Sequence, residues 1–213
     1  LNMNGTLAME DGIEIDHLGL VTYGALFDGV GLNGSYNDLT VDGVVTLNAV
    51  TLNGTLSGKG TVNFAGTTAG DGVADMSEGS TVTYNDVADQ VVFGGEYYNL
   101  VLNGAHTLAN DLTVNGEATL TGVQSGTANV VFAGTTAGDG TFNMTEGLVT
   151  YGETATNVFG GIYNDLTLNG EKSLTVAEVT VNGALTLDSN LNGTADNTLN
   201  MNGTLNAADG IEI

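Results

Sequence analysis

The sequence predicts an all-β protein, and specifically a parallel β-solenoid in which each coil of the chain stacks on the previous one. Three observations predict this fold. A long motif recurs with a period of about 66 residues, Asn-Gly or Asp-Gly turns recur within it at intervals of 10–13 residues, and the runs between turns alternate Thr with aliphatic residues. A period of two is the pattern of half-buried strands, and no stretch shows a useful 3.6-residue helical period.

The long repeat is visible as copies of several segments. These are FAGTTAGDG at 64–72 and 132–140, Phe-Gly-Gly at 93–95 and 159–161, LNMNGTL at 1–7 and 199–205, and DGIEI at 11–15 and 209–213. The first and last copies are 198 residues apart, which is three times 66. Long internal repeats are typical of stacked, solenoid-like folds. We therefore predict a single continuous solenoid over 1–213, with super-repeats 1–66, 67–134 and 135–198 and the start of a fourth at 199–213.

Two other β folds are compatible with the turns. Asn-Gly between alternating runs also favours antiparallel hairpins, and an outer-membrane barrel is a third arrangement. The strands, of three to five residues, are short for a meander, and a barrel needs about ten residues per strand with aromatic girdles. A solenoid fits better, because 66 residues divide into three coils of about 22. We expect roughly ten coils of 20–22 residues, with Asn and Thr forming ladders between coils.

The composition excludes several classes of function. Lys59 and Lys172 are the only Lys or Arg residues, against 25 Asp and Glu, and the formal charge is −23. Nucleic acid is therefore not expected as a partner, and no apolar run is long enough for membrane insertion as a helix. Cys is absent, which excludes disulfides and zinc sites of the Cys type. Pro is also absent, as suits strands whose N–H groups all bond to a neighbour.

Several runs resemble the repeats of very large secreted bacterial surface proteins. YNDLTLNG at 163–170, NDLTVNG at 110–116 and VTVNGALTLDS at 179–189 look like the β-solenoid repeats of adhesins and of filamentous-haemagglutinin-like or autotransporter-like stalks. The resemblance is one of pattern and covers most of the chain. It implies a right-handed β-helix, an extracellular location at the bacterial cell surface, and a structural or adhesive role that needs no catalytic residue.

The residues that usually carry catalysis are few and scattered. His17 and His106 are far apart, and no neighbouring residue marks either as a base or a metal ligand, so we expect ordinary surface histidines. Polysaccharide-degrading β-helices group their carboxylates on one face. Here the acids are spread along the turns, as at Asp11, Glu78, Asp86, Glu146 and Asp188. We assign no catalytic residue and expect that the protein is not an enzyme.

Three kinds of ligand remain open. Turn carboxylates such as Asp71 and Asp139 could hold Ca²⁺, which prefers several oxygen ligands, although no cofactor is expected. The repeated aromatic residues could stack on sugars, but packing inside the coil is the favoured interpretation. These residues are the pairs Tyr84/Tyr151, Tyr97/Tyr163, Phe93/Phe159 and Phe64/Phe132. A Thr-rich flat face could bind ice or glycan; its Thr-x-Thr pairs are Thr81/Thr83, Thr119/Thr121 and Thr154/Thr156.

Neither end of the sequence looks like a cap. Finite solenoids normally close with atypical coils, because open strand edges recruit further strands, whereas here both ends carry the same strand-like segments. We expect either a window of a longer tandem array or copies that stack head to tail, since an interface that does not close on itself makes a filament. The expected end-to-end interface consists of Leu1, Met3, Leu7, Leu199, Met201, Leu205, Ile211 and Ile213.

The sequence thus predicts a structural protein: a β-solenoid repeat segment or subunit of a bacterial extracellular filament or adhesin stalk. Its expected partners are copies of itself or adjacent repeats. The alternative is a module that binds glycan or ice through a Thr-rich face. A polysaccharide-degrading β-helix enzyme comes third.

Overall fold

The protein is described by a computed structural model over residues 2–3, 6–7, 14–85 and 90–212. These residues form an all-β structure without a helix, in which parallel coils stack into a β-solenoid of about ten turns. The predicted fold class is therefore confirmed. The chain divides into two compact units, residues 1–106 and 107–213. That one continuous solenoid runs over 1–213 stays a prediction.

Among the described residues, none belongs to a helix long and apolar enough to cross a membrane.

The first unit is built from twelve strands. They are β1 (Asn2–Met3), β2 (Thr6–Leu7), β3 (Glu14–Tyr23), β4 (Asp28–Val41), β5 (Val44–Leu52), β6 (Thr55–Gly58), β7 (Thr61–Phe64), β8 (Thr68–Ala69), β9 (Val73–Met76), β10 (Thr81–Tyr84), β11 (Gly94–Tyr97) and β12 (Asn99–Leu102). Strand β13 (His106–Leu108) contains the residue at which this unit ends.

The second unit contributes fifteen more strands. They are β14 (Leu112–Val114), β15 (Glu117–Leu120), β16 (Val123–Gly126), β17 (Val130–Phe132), β18 (Thr135–Gly138), β19 (Thr141–Met144), β20 (Leu148–Tyr151), β21 (Gly160–Tyr163), β22 (Asp165–Leu168), β23 (Lys172–Ser173), β24 (Glu178–Val181), β25 (Ala184–Leu187), β26 (Leu191–Asn192), β27 (Thr198–Met201) and β28 (Thr204–Ala207).

Within each unit the strands form parallel ladders, one for each side of the coil. In the second unit, one ladder contains β14, β17, β20, β22, β25 and β28, and another contains β16, β19, β21, β24 and β27. The third side is shorter and consists of the pairs β15–β18 and β23–β26. The long strands β3, β4 and β5 of the first unit bend at corners and contribute to more than one ladder. An antiparallel meander is thereby excluded for the described strands.

The coils are shorter than the sequence suggested. Paired residues are 15 to 22 positions apart, and for most pairs the offset is 17 to 20. Starting at Leu39, the ladder passes through Leu56 and Ala74 to Gly95. The repeat counterpart of Leu39 is Leu100, which instead aligns with Val82 on another ladder. The predicted count of about ten coils is confirmed, whereas in the first unit the coils are not in register with the long repeat.

The predicted ladders between coils are present. The Nδ2 of Asn85 donates to Oδ1 of Asn63 at 2.8 Å, and Nδ2 of Asn103 donates in turn to Oδ1 of Asn85 at 3.3 Å. On another side, the hydroxyls of Thr40 and Ser57 are 2.9 Å apart. Each amide or hydroxyl meets a polar group one coil away, so these half-buried groups keep hydrogen-bond partners.

The interior is filled by aliphatic and aromatic side chains, and each Phe-Gly-Gly segment sits on a pair of tyrosines. In the first unit, Phe93 N–H donates to the Tyr84 hydroxyl at 3.2 Å. The Tyr84 and Tyr97 hydroxyls are 3.0 Å apart, and Tyr97 donates to the Phe93 carbonyl at 2.6 Å. Since Tyr97 gives its proton to the carbonyl, Tyr84 must donate to Tyr97, and the bonds form a closed ring.

The same ring recurs in the second unit with Tyr151, Tyr163 and Phe159, at 3.1, 2.9 and 2.6 Å. Burial raises the pKa of all four tyrosines in the two rings above the ordinary value of 10.0, so their hydroxyls stay protonated. Satisfied buried networks of this kind fix one arrangement of a core. The repeated aromatic residues are therefore structural, as the sequence analysis favoured.

Replacing Tyr84 with Phe should destabilise the protein by about 1–3 kcal/mol, because the buried N–H of Phe93 loses its acceptor. The measurement is the free energy of unfolding in urea, with Tyr98→Phe as the control. Tyr98 is half-buried, and its variant should stay within about 0.5 kcal/mol of the natural protein. Equal effects of the two substitutions would contradict the role given to the ring.

Candidate end-to-end interface

The last coil of the second unit exposes positions that the preceding coils bury. Leu205 aligns with Leu185 along the ladder, yet Leu185 is 0% exposed and Leu205 is 48% exposed. Met201 aligns with the fully buried Val181 and is itself half-exposed. Strand β27 pairs with β24 and strand β28 with β25. Within the described part of the chain, neither strand is paired on its outer edge.

The third side of this last coil is formed by the tail of the chain. The N–H of Leu191 donates to the carbonyl of Glu212 at 3.1 Å, and the N–H of Glu212 donates to Oδ1 of Asn190 at the same distance. Ile211 beside it is half-buried. On all three sides, the backbone of the last coil is therefore hydrogen-bonded to the preceding coil.

The first coil of the first unit is covered by the chain that follows it. Met3 aligns with Tyr23, which is 0% exposed, and Leu7 aligns with Gly29. Among the predicted interface residues, Leu199 is half-exposed on the last coil and aligns with the buried Val179. Leu1 and Ile213 lie outside the described residues.

Several aspartates bond to the backbone of a neighbouring coil. Three of them accept a backbone N–H from the next coil: Asp38 from Thr55 at 2.9 Å, Asp111 from Asn129 at 2.7 Å, and Asp165 from Ala184 at 2.6 Å. The Asn129 N–H, followed by its side-chain amide, lowers the pKa of Asp111. At these positions backbone N–H groups, and not cations, are the partners of the carboxylates.

Of the scattered acids singled out from the sequence, the structure describes Glu78, Glu146 and Asp188. Glu78 and Glu146 are exposed, and Asp188 accepts the N–H of Gly170 at 2.6 Å. Asp11 and Asp86 lie outside the described residues. Over the described ranges no three His, Asp or Glu side chains come close enough to hold a metal ion. The suggestion that Asp71 or Asp139 takes part in a calcium site stays a prediction.

The prediction that His106 is an ordinary surface histidine is wrong, because its side chain is buried and only 4% exposed. Its Nε2 donates to the carbonyl of Asn103, three residues earlier, at 3.0 Å. Two further turns have the same form. In one, Gln124 donates to the Thr121 carbonyl at 2.9 Å, and in the other, Lys172 donates to the Asn169 carbonyl. In each turn the second residue is a glycine with φ between 71° and 84°, a conformation that other residues adopt only at a cost. This sharp corner directs the fourth side chain inward. The side chain of His17 lies outside the described ones.

Lys172 is a buried lysine whose amine is directed into its own turn. It is 1% exposed, and its Nζ also lies 3.5 Å from the carbonyl of Glu153. Burial lowers the pKa of Lys172 from its ordinary 10.5, against the opposing attraction of Asp188 and Glu153. A lowered lysine pKa is one mark of a reactive amine. Here, however, the amine is occupied by backbone carbonyls, as the amide of Gln124 is in the matching turn.

Threonine forms one column on the second unit. Thr150 aligns with Thr167, and Thr167 with Thr186, at outward positions of successive coils. The neighbouring outward positions on the same strands are Leu148, Asp165 and Ala184. On these strands the face thus carries a single file of Thr side chains and no repeated Thr-x-Thr rows.

Comparison of the chain with protein-family models, with curated protein sequences and with solved structures finds no match.

Replacing Lys172 with Gln should preserve or raise stability at neutral pH, because Gln124 shows that an amide satisfies this turn without burying a charge. Replacing Lys172 with Leu should cost about 1–3 kcal/mol, because the Asn169 carbonyl loses its donor. Urea unfolding of both variants gives the comparison. A Gln variant as unstable as the Leu variant would contradict this account.

The pH dependence provides a second check on Lys172. Because its folded pKa is below 10.5, the unfolded chain binds more protons just below that pH. The natural protein should therefore gain stability relative to Lys172→Gln as the pH rises toward 10.5. The difference between the free energies of unfolding of the two proteins at each pH removes the contribution of tyrosine titration, because both proteins share it.

Proposed function

We propose that this chain is a structural β-solenoid segment of a bacterial extracellular filament or adhesin stalk, whose coils join end to end with further copies. The observation that carries the proposal is the open last coil. It exposes Leu205 and Met201 at positions that are buried in the preceding coils, and it repeats the sequence of the first coil. Partly exposed apolar side chains beside an unpaired strand edge favour addition of another strand.

The interior supports a structural role. The repeated aromatic residues and the inward polar side chains are committed to packing and to backbone hydrogen bonds, which leaves them unavailable to a substrate. The charge of −23 acts in the same direction, because like-charged sides repel one another and keep neighbouring copies from associating laterally. The extracellular location rests on the repeat resemblance and on the absence of Cys.

A second candidate, binding of ice or glycan, is favoured by one observation. The Thr150, Thr167 and Thr186 side chains repeat at the spacing of neighbouring parallel strands, about 4.8 Å. A regular file of hydroxyl and methyl groups is the kind of surface that an ordered lattice could match.

Replacing Leu205 with Glu should abolish concentration-dependent association, because a new charge on the open coil repels a second acidic copy. Val123→Glu is the matched control: Val123 is 45% exposed in the same unit, on β16 and away from the last coil. Light scattering and electron microscopy at high protein concentration report the particle length. The natural protein and Val123→Glu should form linear particles.

A natural protein that stays strictly monomeric at high concentration and high salt would overturn the end-to-end proposal. Equal association of Leu205→Glu would show that the last coil is not the interface.

If the Thr file binds ice, the natural protein will show thermal hysteresis and Thr167→Tyr will lose it, because a bulky ring in mid-file breaks the flat surface. Thr83→Tyr, at a half-buried position in the first unit, serves as control and should keep the effect. Hysteresis that survives Thr167→Tyr would exclude this file as the binding surface.

A further inference from the structure

A groove of about 530 Å³ opens on the outer face of the second unit. It lies on the ladder that contains β19, β21 and β24, and at its centre are the two glycines of the second Phe-Gly-Gly segment, Gly160 and Gly161. Gly160 points outward in line with Thr141 of the preceding coil. Where that coil carries a side chain, this coil has only backbone, and the missing side chain leaves the groove.

The groove is lined partly by aliphatic side chains. Ile162 follows the two glycines and is 40% exposed, which is unusual for a large aliphatic residue on a soluble surface. Val176, on the segment before β24, is half-buried, and a Cβ added to Gly160 would lie 3.4 Å from the Cβ of Val176. A concave site with an exposed apolar wall is the usual form of a binding site.

The groove is held in shape by contacts on the page. The ring of Phe142, which also lines it, lies 5.3 Å from the ring of Tyr163, a member of the second closed ring of hydrogen bonds. On the other side, Oε1 of Glu178 accepts a hydrogen bond from Nδ2 of Asn200 at 2.6 Å. A ligand therefore meets a surface that is already formed, and binding costs little ordering of the protein.

The charge of the groove selects the sign of its ligand. Asp139 and Glu178 line it and are both exposed, and among the described residues that line it none is Lys, Arg or His. The chain as a whole carries a charge of −23. Phosphate groups and acidic sugars are therefore repelled, whereas a cationic ligand is attracted by the groove and by the surface around it.

The first Phe-Gly-Gly segment differs at the positions that make this groove apolar. There, Gly95 aligns with Ala74, whereas in the second unit Gly161 aligns with Phe142. The residue after the glycines is Glu96 in the first unit, in place of Ile162. The two segments thus share their backbone motif, and only the second combines it with an aromatic and an aliphatic wall.

We propose that this groove binds a short extended segment of a partner protein that carries lysine or arginine next to an aliphatic residue. The aliphatic side chain packs against Ile162 and Val176, and the cationic groups face Asp139 and Glu178 while their hydrocarbon stems cover the groove. This interaction goes beyond the proposed structural role and does not depend on end-to-end association.

The dimensions of the groove suit a peptide. It crosses the strands β19, β21 and β24, and neighbouring strands are about 4.8 Å apart, so it is about 10 Å long. An extended chain advances about 3.3 Å per residue, so about three residues fill this length. The exposed side of Ile162 shows that the groove is open to solvent, which lets a longer partner chain continue beyond it.

The test uses three capped peptides titrated into the full-length protein at physiological ionic strength, where diffuse attraction between distant charges is largely screened. The probe is Lys-Leu-Lys-Leu-Lys; the comparison peptides replace both Leu with Ser, or all Lys with Glu. Calorimetry gives the affinity, and the NMR amide signals of Gly160 and Gly161 give the position. The probe should bind and shift both signals, and each comparison peptide should bind at least about fivefold more weakly.

Ile162→Glu is the decisive variant, because it gives the second segment the residue that Glu96 supplies in the first and so should fold. It adds a negative charge, which would strengthen diffuse attraction of the probe, but removal of the apolar wall should weaken binding at least about fivefold. Glu178→Gln keeps an acceptor for Asn200 and should also weaken binding. Glu96→Gln removes one charge in the first unit and should leave the affinity unchanged.

Several results would overturn the proposal. Equal or tighter binding of the probe to Ile162→Glu, or equal binding of the peptide without Leu, would reduce the interaction to diffuse attraction to an acidic surface. Equal binding of the Glu-containing peptide would contradict the charge selection. A probe that does not bind, or that leaves the signals of Gly160 and Gly161 unshifted, would show that the groove is not its site.

Discussion

The parallel, in-register pairing of each coil with the next is the constraint on which the rest of the structure depends. Ladder partners lie 15 to 22 positions apart in the chain, so each side of the coil repeats one chemical environment. Inward positions must be apolar or carry an internal donor, as Lys172 does. Carboxylates at strand ends can accept a hydrogen bond from the next coil, as Asp165 does from the N–H of Ala184. A regular ladder of this kind leaves little freedom for Pro or for large outward groups.

This constraint also explains what could be predicted from the sequence. The Thr-aliphatic alternation and the Asn-Gly spacing reveal strands and corners, and repeated aromatic residues such as Tyr84 and Tyr151 indicate a shared interior. The length of a coil could not be predicted from the sequence, because the long repeat does not correspond to whole coils. Leu39 and Leu100 occupy the same place in the repeat, yet they lie on different ladders. The burial of His106 was missed, although Asn-Gly-Ala-His and Asn-Gly-Glu-Lys share a spacing that could have revealed it.

The candidate interface was predicted from identical segments and not from strand periodicity. Identical segments at 1–7 and 199–205 are visible without a structure, and strand-like ends predict open edges. The exposure of individual side chains could be read only from the structure, because burial depends on whether another coil follows. Leu205 and Leu185 occupy equivalent ladder positions, and only the coil after Leu185 distinguishes them.

The short distance between ladder partners has a consequence for how the chain acquires its structure. A coil needs only about twenty further residues before it can pair with its predecessor, so each loop closed during folding is small, and closure costs rise with loop length. Order can therefore spread outward from any one coil, as in other linear repeat arrays. A chain that emerges gradually through a narrow channel could therefore fold coil by coil as it emerges, because no strand needs a partner that lies far along the sequence.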